Sequence, residues 1–154
     1  MISPLGEWTA AERTRARILV MEDSLSMSDA IRVMLSHHGH ESVFVLDSTQ
    51  GIKALESSRF DLALIDVFIP EKDGLKTIKD VRLMMPSLPI VAMSGVRVRN
   101  VSSSVVDVLG MAVQVGATSS LPMPFTQKQL GAAIYAGLNS SVTGGNVAVN
   151  GWQC

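Results

Sequence analysis

Three acidic residues and one serine stand where short apolar runs end. Arg17-Ile-Leu-Val-Met21 is followed by Glu22-Asp23, Leu62–Ile65 by Asp66, and Pro89–Met93 by Ser94. If those run ends meet, three carboxylates share one small space. Like charges at that range repel strongly in a low dielectric. The arrangement is stable only if one proton is retained or a cation enters. A few hard oxygen donors suit Mg2+, which keeps waters of its own and pairs readily with phosphate.

Whether the run ends meet depends on the elements that carry them. Arg17–Met21 reads as a buried strand, because it is apolar throughout and ends abruptly in charge. From Ser24 to His38, Leu25, Ile31, Val33, Met34 and Leu35 recur at helical spacing, and Gly39 stops the helix. Glu41–Leu46 is a second strand. Ser48–Ser58 is a short helix capped by Asp47 or Ser48. Leu62–Val67 is a third strand, and Pro70 to Gly74 is turn chemistry. A third helix covers Leu75 to Met85 and is closed by Pro86. Pro89–Met93 is a fourth strand, Ser103 to Val115 a helix stopped by Gly116, and Thr118–Pro122 a weak fifth strand. Thr126–Asn139 is a fifth helix capped by Thr126. Strand and helix alternate five times, which predicts an α/β fold: a five-stranded parallel sheet with helices on both faces. Ligands in such sheets sit at the carboxyl ends of the strands, where the acidic residues are.

The chain of 154 residues suits one domain of ordinary size, and 47% hydrophobic residues supply its core. The expected division is an N-terminal extension over 1–16, the (βα)5 domain over 17–139 and a flexible tail over 140–154. A net charge of −1 lacks the basic footprint of a nucleic-acid binder. The single cysteine, Cys154, rules out a disulfide within the chain. No apolar signal core precedes Arg17 and no apolar run is long enough to span a bilayer, so the expected location is the cytoplasm, with no membrane partner. There is no G-x-G-x-x-G and no P-loop, and Glu22-Asp23 after the first strand would repel a bare phosphate. A flavodoxin-like cofactor binder, which shares the architecture, is disfavoured on that ground.

Ile18-Leu-Val-Met-Glu-Asp-Ser24, Asp61-Leu-Ala-Leu-Ile-Asp-Val-Phe-Ile-Pro-Glu-Lys-Asp-Gly74 and Pro89-Ile-Val-Ala-Met-Ser-Gly95 resemble the receiver domains of bacterial two-component response regulators. Gly116-Ala117 and Pro124-Phe125 fit the same pattern. The resemblance covers Arg17 to Leu138, and the spacing of Asp66, Pro70 and Gly74 is its most specific part. It implies the flavodoxin-like receiver fold, with Asp66 as phosphoacceptor. It also implies Mg2+ held by Asp23, Asp66 and the backbone carbonyl of Phe68, with Glu22 acting through water. Ser94 and the amide of Gly95 would contact the phosphoryl group. Pro70 and Gly74 would shape the loop. The implied partners are a sensor histidine kinase or phosphotransfer protein and a downstream protein met by the fourth helix, fifth strand and fifth helix, with no nucleic acid bound directly. With no effector module in the stretch after Asn139, output is expected through protein contacts, and the domain is expected to be a signalling module rather than an enzyme.

Two positions depart from the pattern. Met123 stands where the family carries a lysine, and methionine offers neither charge nor hydrogen-bond donor. Ser120 stands where many members carry a switch aromatic. These departures motivate an alternative, a pseudo-receiver that keeps the fold and signals without phosphorylation. Arg97 and Arg99 follow Ser94-Gly95 and read as a solvated loop; the alternative is that one guanidinium stands in for the missing lysine. His37, His38 and His40 read as residues crowding a helix C-terminus rather than as metal ligands, since no carboxylate or cysteine accompanies them at ligand spacing.

Overall fold

The computed structural model describes residues 15–68, 74–95 and 108–151, with side chains as far as residue 140. Pro70, Arg97, Arg99, Cys154, the extension before residue 15 and the expected start of the fourth helix lie outside the described residues. The strands are β1 (Arg17–Met21), β2 (Glu41–Val45), β3 (Leu62–Asp66), β4 (Ile90–Ser94) and β5 (Ser119–Pro122). The helices are α1 (Leu25–His37), α2 (Ser48–Ser57), α3 (Gly74–Met84), α4 (Val108–Val115) and α5 (Gln127–Gly151).

All pairings are parallel, in the order β2-β1-β3-β4-β5. The three inner strands are the near-continuous apolar runs of the sequence. Every residue of β3 and β4 is buried, as expected of strands covered on both faces. The edge strands β2 and β5 are half-exposed. Strand alternation then splits the core in two. Leu19, Met21, Ala63, Ile65, Ile90 and Ala92 pack with Leu55 of α2, Ile78 and Val81 of α3 and Ala112 of α4. Ile18, Val20, Leu62, Leu64, Val91 and Met93 pack with Ile31 and Leu35 of α1 and Leu130 and Ile134 of α5. The expected α/β architecture is therefore present, with two helices on one face and three on the other.

Local chemistry sets the helix ends. The Ser24 hydroxyl accepts from Met27 N at 3.3 Å and starts α1. Asp47, rather than Ser48, caps α2 by accepting from Gln50 N at 2.9 Å. Thr126 and Gln129 form a reciprocal capping box: Gln129 N donates to Thr126 Oγ1 at 3.0 Å, and Thr126 N donates to Gln129 Oε1 at 2.8 Å. Gly39 ends α1 with φ of 82°, a left-handed conformation that glycine adopts without a Cβ penalty. Two boundaries differ from the sequence reading in ways that matter. β4 runs one residue further, so Ser94 is its last rung, opposite Pro122. The backbone of α5 is helical as far as Gly151, where composition predicted a tail from residue 140. The polar Gly/Ser/Asn composition that suggested the tail is a weak helix former, and composition alone could not show that the backbone continues the turn of the packed helix before it.

One half-buried arginine ties the α3 end to the turn between α4 and β5 on the same face of the sheet. Arg82 Nε donates to the Gly116 carbonyl at 2.9 Å, and Nη1 donates to Met85 O at 3.0 Å and Pro86 O at 3.1 Å. Nη2 reaches Thr118 Oγ1 at 3.3 Å, which also accepts from Ile90 N at 3.0 Å. The planar fork suits several acceptors at once, and it fixes the chain entering β4 and β5 at the amino ends of those strands, opposite the carboxylates.

Candidate functional site

The site is built by register. Met21 lies opposite Ile65, so the next rung sets Glu22 beside Asp66. Asp66 is the last residue of β3 and pairs with Met93 of β4. Glu22, Asp23 and Asp66 each present a carboxylate oxygen within 4.8 Å of the others. Glu22 is 1% and Asp66 0% exposed, while Asp23 faces outward. Two backbone amides orient the buried pair. Ser24 N donates to Glu22 Oε2 at 3.1 Å, and Phe68 N donates to Asp66 Oδ1 at 2.8 Å. The second contact is an Asx-type turn, which pulls the chain after β3 tightly around the carboxylate.

Burial, and after it the charge of Asp66, pushes the Glu22 carboxyl up to about 8. The cluster thus holds a proton where an isolated glutamate would have lost it. The other Glu22 oxygen, Oε1, is buried and has no hydrogen-bond partner among the described residues. A buried acceptor left unsatisfied is expensive, and three hard oxygens at one point are the donor set a small divalent cation prefers. The residues fit such an ion. Among the described residues this is the one set of three or more potential metal-ligating side chains so closely gathered, and the histidines form no such set.

The remaining sequence-derived candidates separate. Ser94 is buried (8% exposed) at the end of β4. It carries its carbonyl to Met123 N at 2.8 Å. By alternation Glu22 and Asp66 continue the α1/α5 face of the sheet, whereas Ser94 continues the opposite face with Ile90 and Ala92. Ser120, opposite Ala92, belongs to the same α4 side as Ser94. Met123 is 4% exposed and packs into the α1/α5 core with Leu121, Leu130 and Ile134. It is an apolar core residue as well as a missing cation. Gly95 and Phe68 follow their strands and are half-buried.

Gly74 has a structural reason that spacing alone did not supply. A Cβ there would collide with the backbone of Val67, at its carbonyl and Cα. Only glycine lets the start of α3 lie against the chain leaving Asp66. Sequence reasoning missed the Ser24 amide as a ligand of Glu22, though an acidic residue two positions before a helix cap was a usable signal. It also missed Arg82, whose partners at Gly116 and Thr118 are too distant in sequence to be seen there.

A family model described as the response regulator receiver domain matches residues 18–135. The transcriptional regulatory protein CiaR of Streptococcus pneumoniae is 29% identical over 141 residues, covering 87% of this chain and 59% of its own length. The DNA-binding response regulator MtrA of Mycobacterium tuberculosis is 29% identical over 124 residues, covering 80% of this chain and 51% of its own. The chain thus spans roughly half to three-fifths of those curated relatives. Among solved structures, full-length FixJ from B. japonicum superposes with a TM-score of 0.71 at 25% identity, covering 82% of this chain and 59% of FixJ. A response regulator receiver domain protein from Clostridium thermocellum gives 0.71 at 24% identity, covering 80% of this chain and 94% of that one.

Proposed function

The chain belongs to the response regulator receiver domain family, and from that premise we propose that Asp66 accepts a phosphoryl group from a phosphohistidine of a sensor kinase or phosphotransfer protein. The single observation that carries this reading is the Asp66 carboxylate, buried at a strand end with Glu22 and Asp23 carboxylates within 4.8 Å. A carboxylate oxygen of Asp66 attacks phosphorus, an acyl phosphate forms, the phosphorus–nitrogen bond breaks and the histidine nitrogen leaves. Asp23, Asp66 and the Phe68 carbonyl would hold Mg2+, with Glu22 acting through water. When bound, the ion supplies positive charge that offsets the carboxylates and the phosphoryl oxygens. The Phe68 amide, already on Asp66 Oδ1, keeps the nucleophile in one orientation. Ser94 and the Gly95 amide would donate to the phosphoryl group.

The domain acts as a signalling module of the cytoplasm, and its output passes through protein contacts on α4, β5 and α5. No helix among the described residues is long and apolar enough to cross a membrane. Met123 and Ser120 alter the readout. A lysine contact to the phosphoryl group would contribute on the order of 1.5–3 kcal/mol, and Met123 supplies none of it. Loading Asp66 is therefore retained while its coupling to α4 is weakened. A second reading, a pseudo-receiver that is not phosphorylated, is favoured by the burial of Met123 in the core at 4% exposure.

Incubation with acetyl phosphate and Mg2+, followed by phosphate-affinity electrophoresis, separates the two. A retarded band is expected for the natural sequence and none for Asp66→Ala. No retarded band in the natural sequence would sink the phosphoacceptor assignment and leave the pseudo-receiver, and a band that survives Asp66→Ala would sink both, placing the phosphoryl group on another residue.

A further inference from the structure

Away from the carboxylates, three histidines gather where α1 ends and β2 begins. With Gln127, Lys128, Gly131 and Tyr135 of α5 they line an open cleft of about 560 Å3. His38 Nε2 lies 2.9 Å from the Gln127 carbonyl, across 89 residues of chain. A carbonyl only accepts, so His38 carries its proton on Nε2 and donates. The ring reaches α5 because residue 131 is glycine: a Cβ there would collide with His38 Cε1 and Nε2.

His40 is bound in the opposite sense. Its Nδ1 lies 3.1 Å from Ala16 N, so the ring accepts a backbone N–H through its lone pair. Neutral His40 therefore keeps its proton on Nε2, which also removes it as a ready metal ligand. Ala16 is 4% exposed and is held a second time, by Glu41 N donating to its carbonyl at 2.9 Å. The Ala16 backbone thus hangs on one imidazole and one strand bond, while the next residue is held separately, Arg17 N donating to Asp61 Oδ2 at 2.8 Å.

We propose that His40 is a pH-sensitive latch on the first strand: its neutral imidazole holds the Ala16 amide, and protonation releases that amide while neighbouring His38 keeps its hold on α5. The chemistry of the two rings differs by which atom is engaged. A proton on His40 Nδ1 sets N–H against N–H and destroys the bond. A proton on His38 Nδ1 leaves Nε2–H donating and makes that bond charge-assisted, at a helix C-terminus that favours cations. The ring centroids are 6.4 Å apart, so charge on His38 opposes charge on His40. Burial, and then His38, hold His40 below the ordinary imidazole value. The other charged or titratable groups around it are His37 from α1, Arg17 and Glu41 from the two strands (paired at 3.6 Å), Asp61 at the entry to β3, whose Oδ2 accepts from the adjacent amide of Arg17 at 2.8 Å, and Lys128 and Tyr135 from α5. Glu41 is half-engaged by Arg17, Asp61 is engaged by the Arg17 amide, and no carboxylate lines the cleft itself.

Histidine side-chain nitrogen–proton correlation spectra of the full chain, recorded from about pH 8 to about pH 5, test this. The expected result is an Nε2–H tautomer for neutral His40 and a midpoint below 6.5. The Ala16 amide should shift in step with His40, and its protection factor, which is corrected for the slower hydroxide-catalysed exchange at lower pH, should fall by up to about tenfold per unit below that midpoint. An Nδ1–H tautomer, or an Ala16 amide indifferent to His40, overturns the proposal without any variant. His38→Gln keeps a donor for Gln127 and removes the charge, and the His40 midpoint is expected to rise. A midpoint that stays in place overturns the coupling between the rings.

Discussion

Glu22 shows how one side chain sets the temper of the site. Its carboxyl is pushed from 4.5 in the unfolded chain up to about 8 by burial and by Asp66. A raised folded-state value means that the group stabilises fully below 4.5 and that this contribution is lost as pH rises through about 8. Metal-free protein in EDTA should therefore lose melting temperature across that window. Millimolar Mg2+ or Glu22→Gln should flatten the decline. A flat profile in EDTA would show that Glu22 is not strained. His40 acts with the opposite sign: its depressed value gives stability present above 6.5 and lost as pH falls. At this scale the sequence was informative about chemistry and silent about partners. Glu22, Asp23, Asp66 and Ser94 could be named because strand ends converge in a parallel sheet. That Ser24 N serves Glu22, or that Met123 turns into the core, depends on side-chain directions that residue type does not encode.

At the scale of the element, Gly74 sets two effects against each other. Alanine at a helix position is favoured over glycine by up to about 1 kcal/mol of propensity. Here its Cβ would strike the Val67 backbone, which cannot swing aside as a side chain would. Overpacking against fixed atoms costs about 1–3 kcal/mol, so the steric effect wins. Gly74→Ala is expected to lower the urea midpoint and to weaken Mg2+ binding, because α3 can move only by pushing the chain after Asp66. A midpoint equal to or above the natural one would mean that α3 shifts freely. Element types were readable from apolar period and caps: the Thr126 cap and the Gly39 stop are both local signals. The reach of α5 to Gly151 was not, because the residues after Asn139 carry no periodic apolar face to announce a helix. Nor was Arg82, which joins α3 to residues more than thirty positions on.

For the whole molecule, the division of the core by the sheet places the site residues on different sides. Glu22 and Asp66 continue the α1/α5 face, and Ser94 and Ser120 continue the face under α4. A phosphoryl group at Asp66 would be felt by one layer through its carboxylate and by the other through Ser94. The global architecture was legible because three inner strands buried on both sides must be apolar runs, and such runs separated by helices leave parallel pairing as the economical topology. The layer to which each site residue belongs needed the register.

That register also bears on how fast the chain folds. No two neighbouring strands form a hairpin; even the nearest partners, Arg17 and Glu41, close a loop of more than twenty residues. The central ladder between β1 and β3 must close a longer one, and the step beyond its last rung, Met21 opposite Ile65, brings Glu22 and Asp66 together. If this longest-range pairing forms late in the search, the chain meets the repulsion between Glu22 and Asp66 near the barrier top. Asp66→Asn removes one of the two charges and should steepen the descent: in stopped-flow refolding its rate constant should rise several-fold, with a smaller change in unfolding. If only the unfolding arm slows, the carboxylates meet after the barrier. The residue pair that makes the site useful would then be a spur to unfolding rather than a brake on folding.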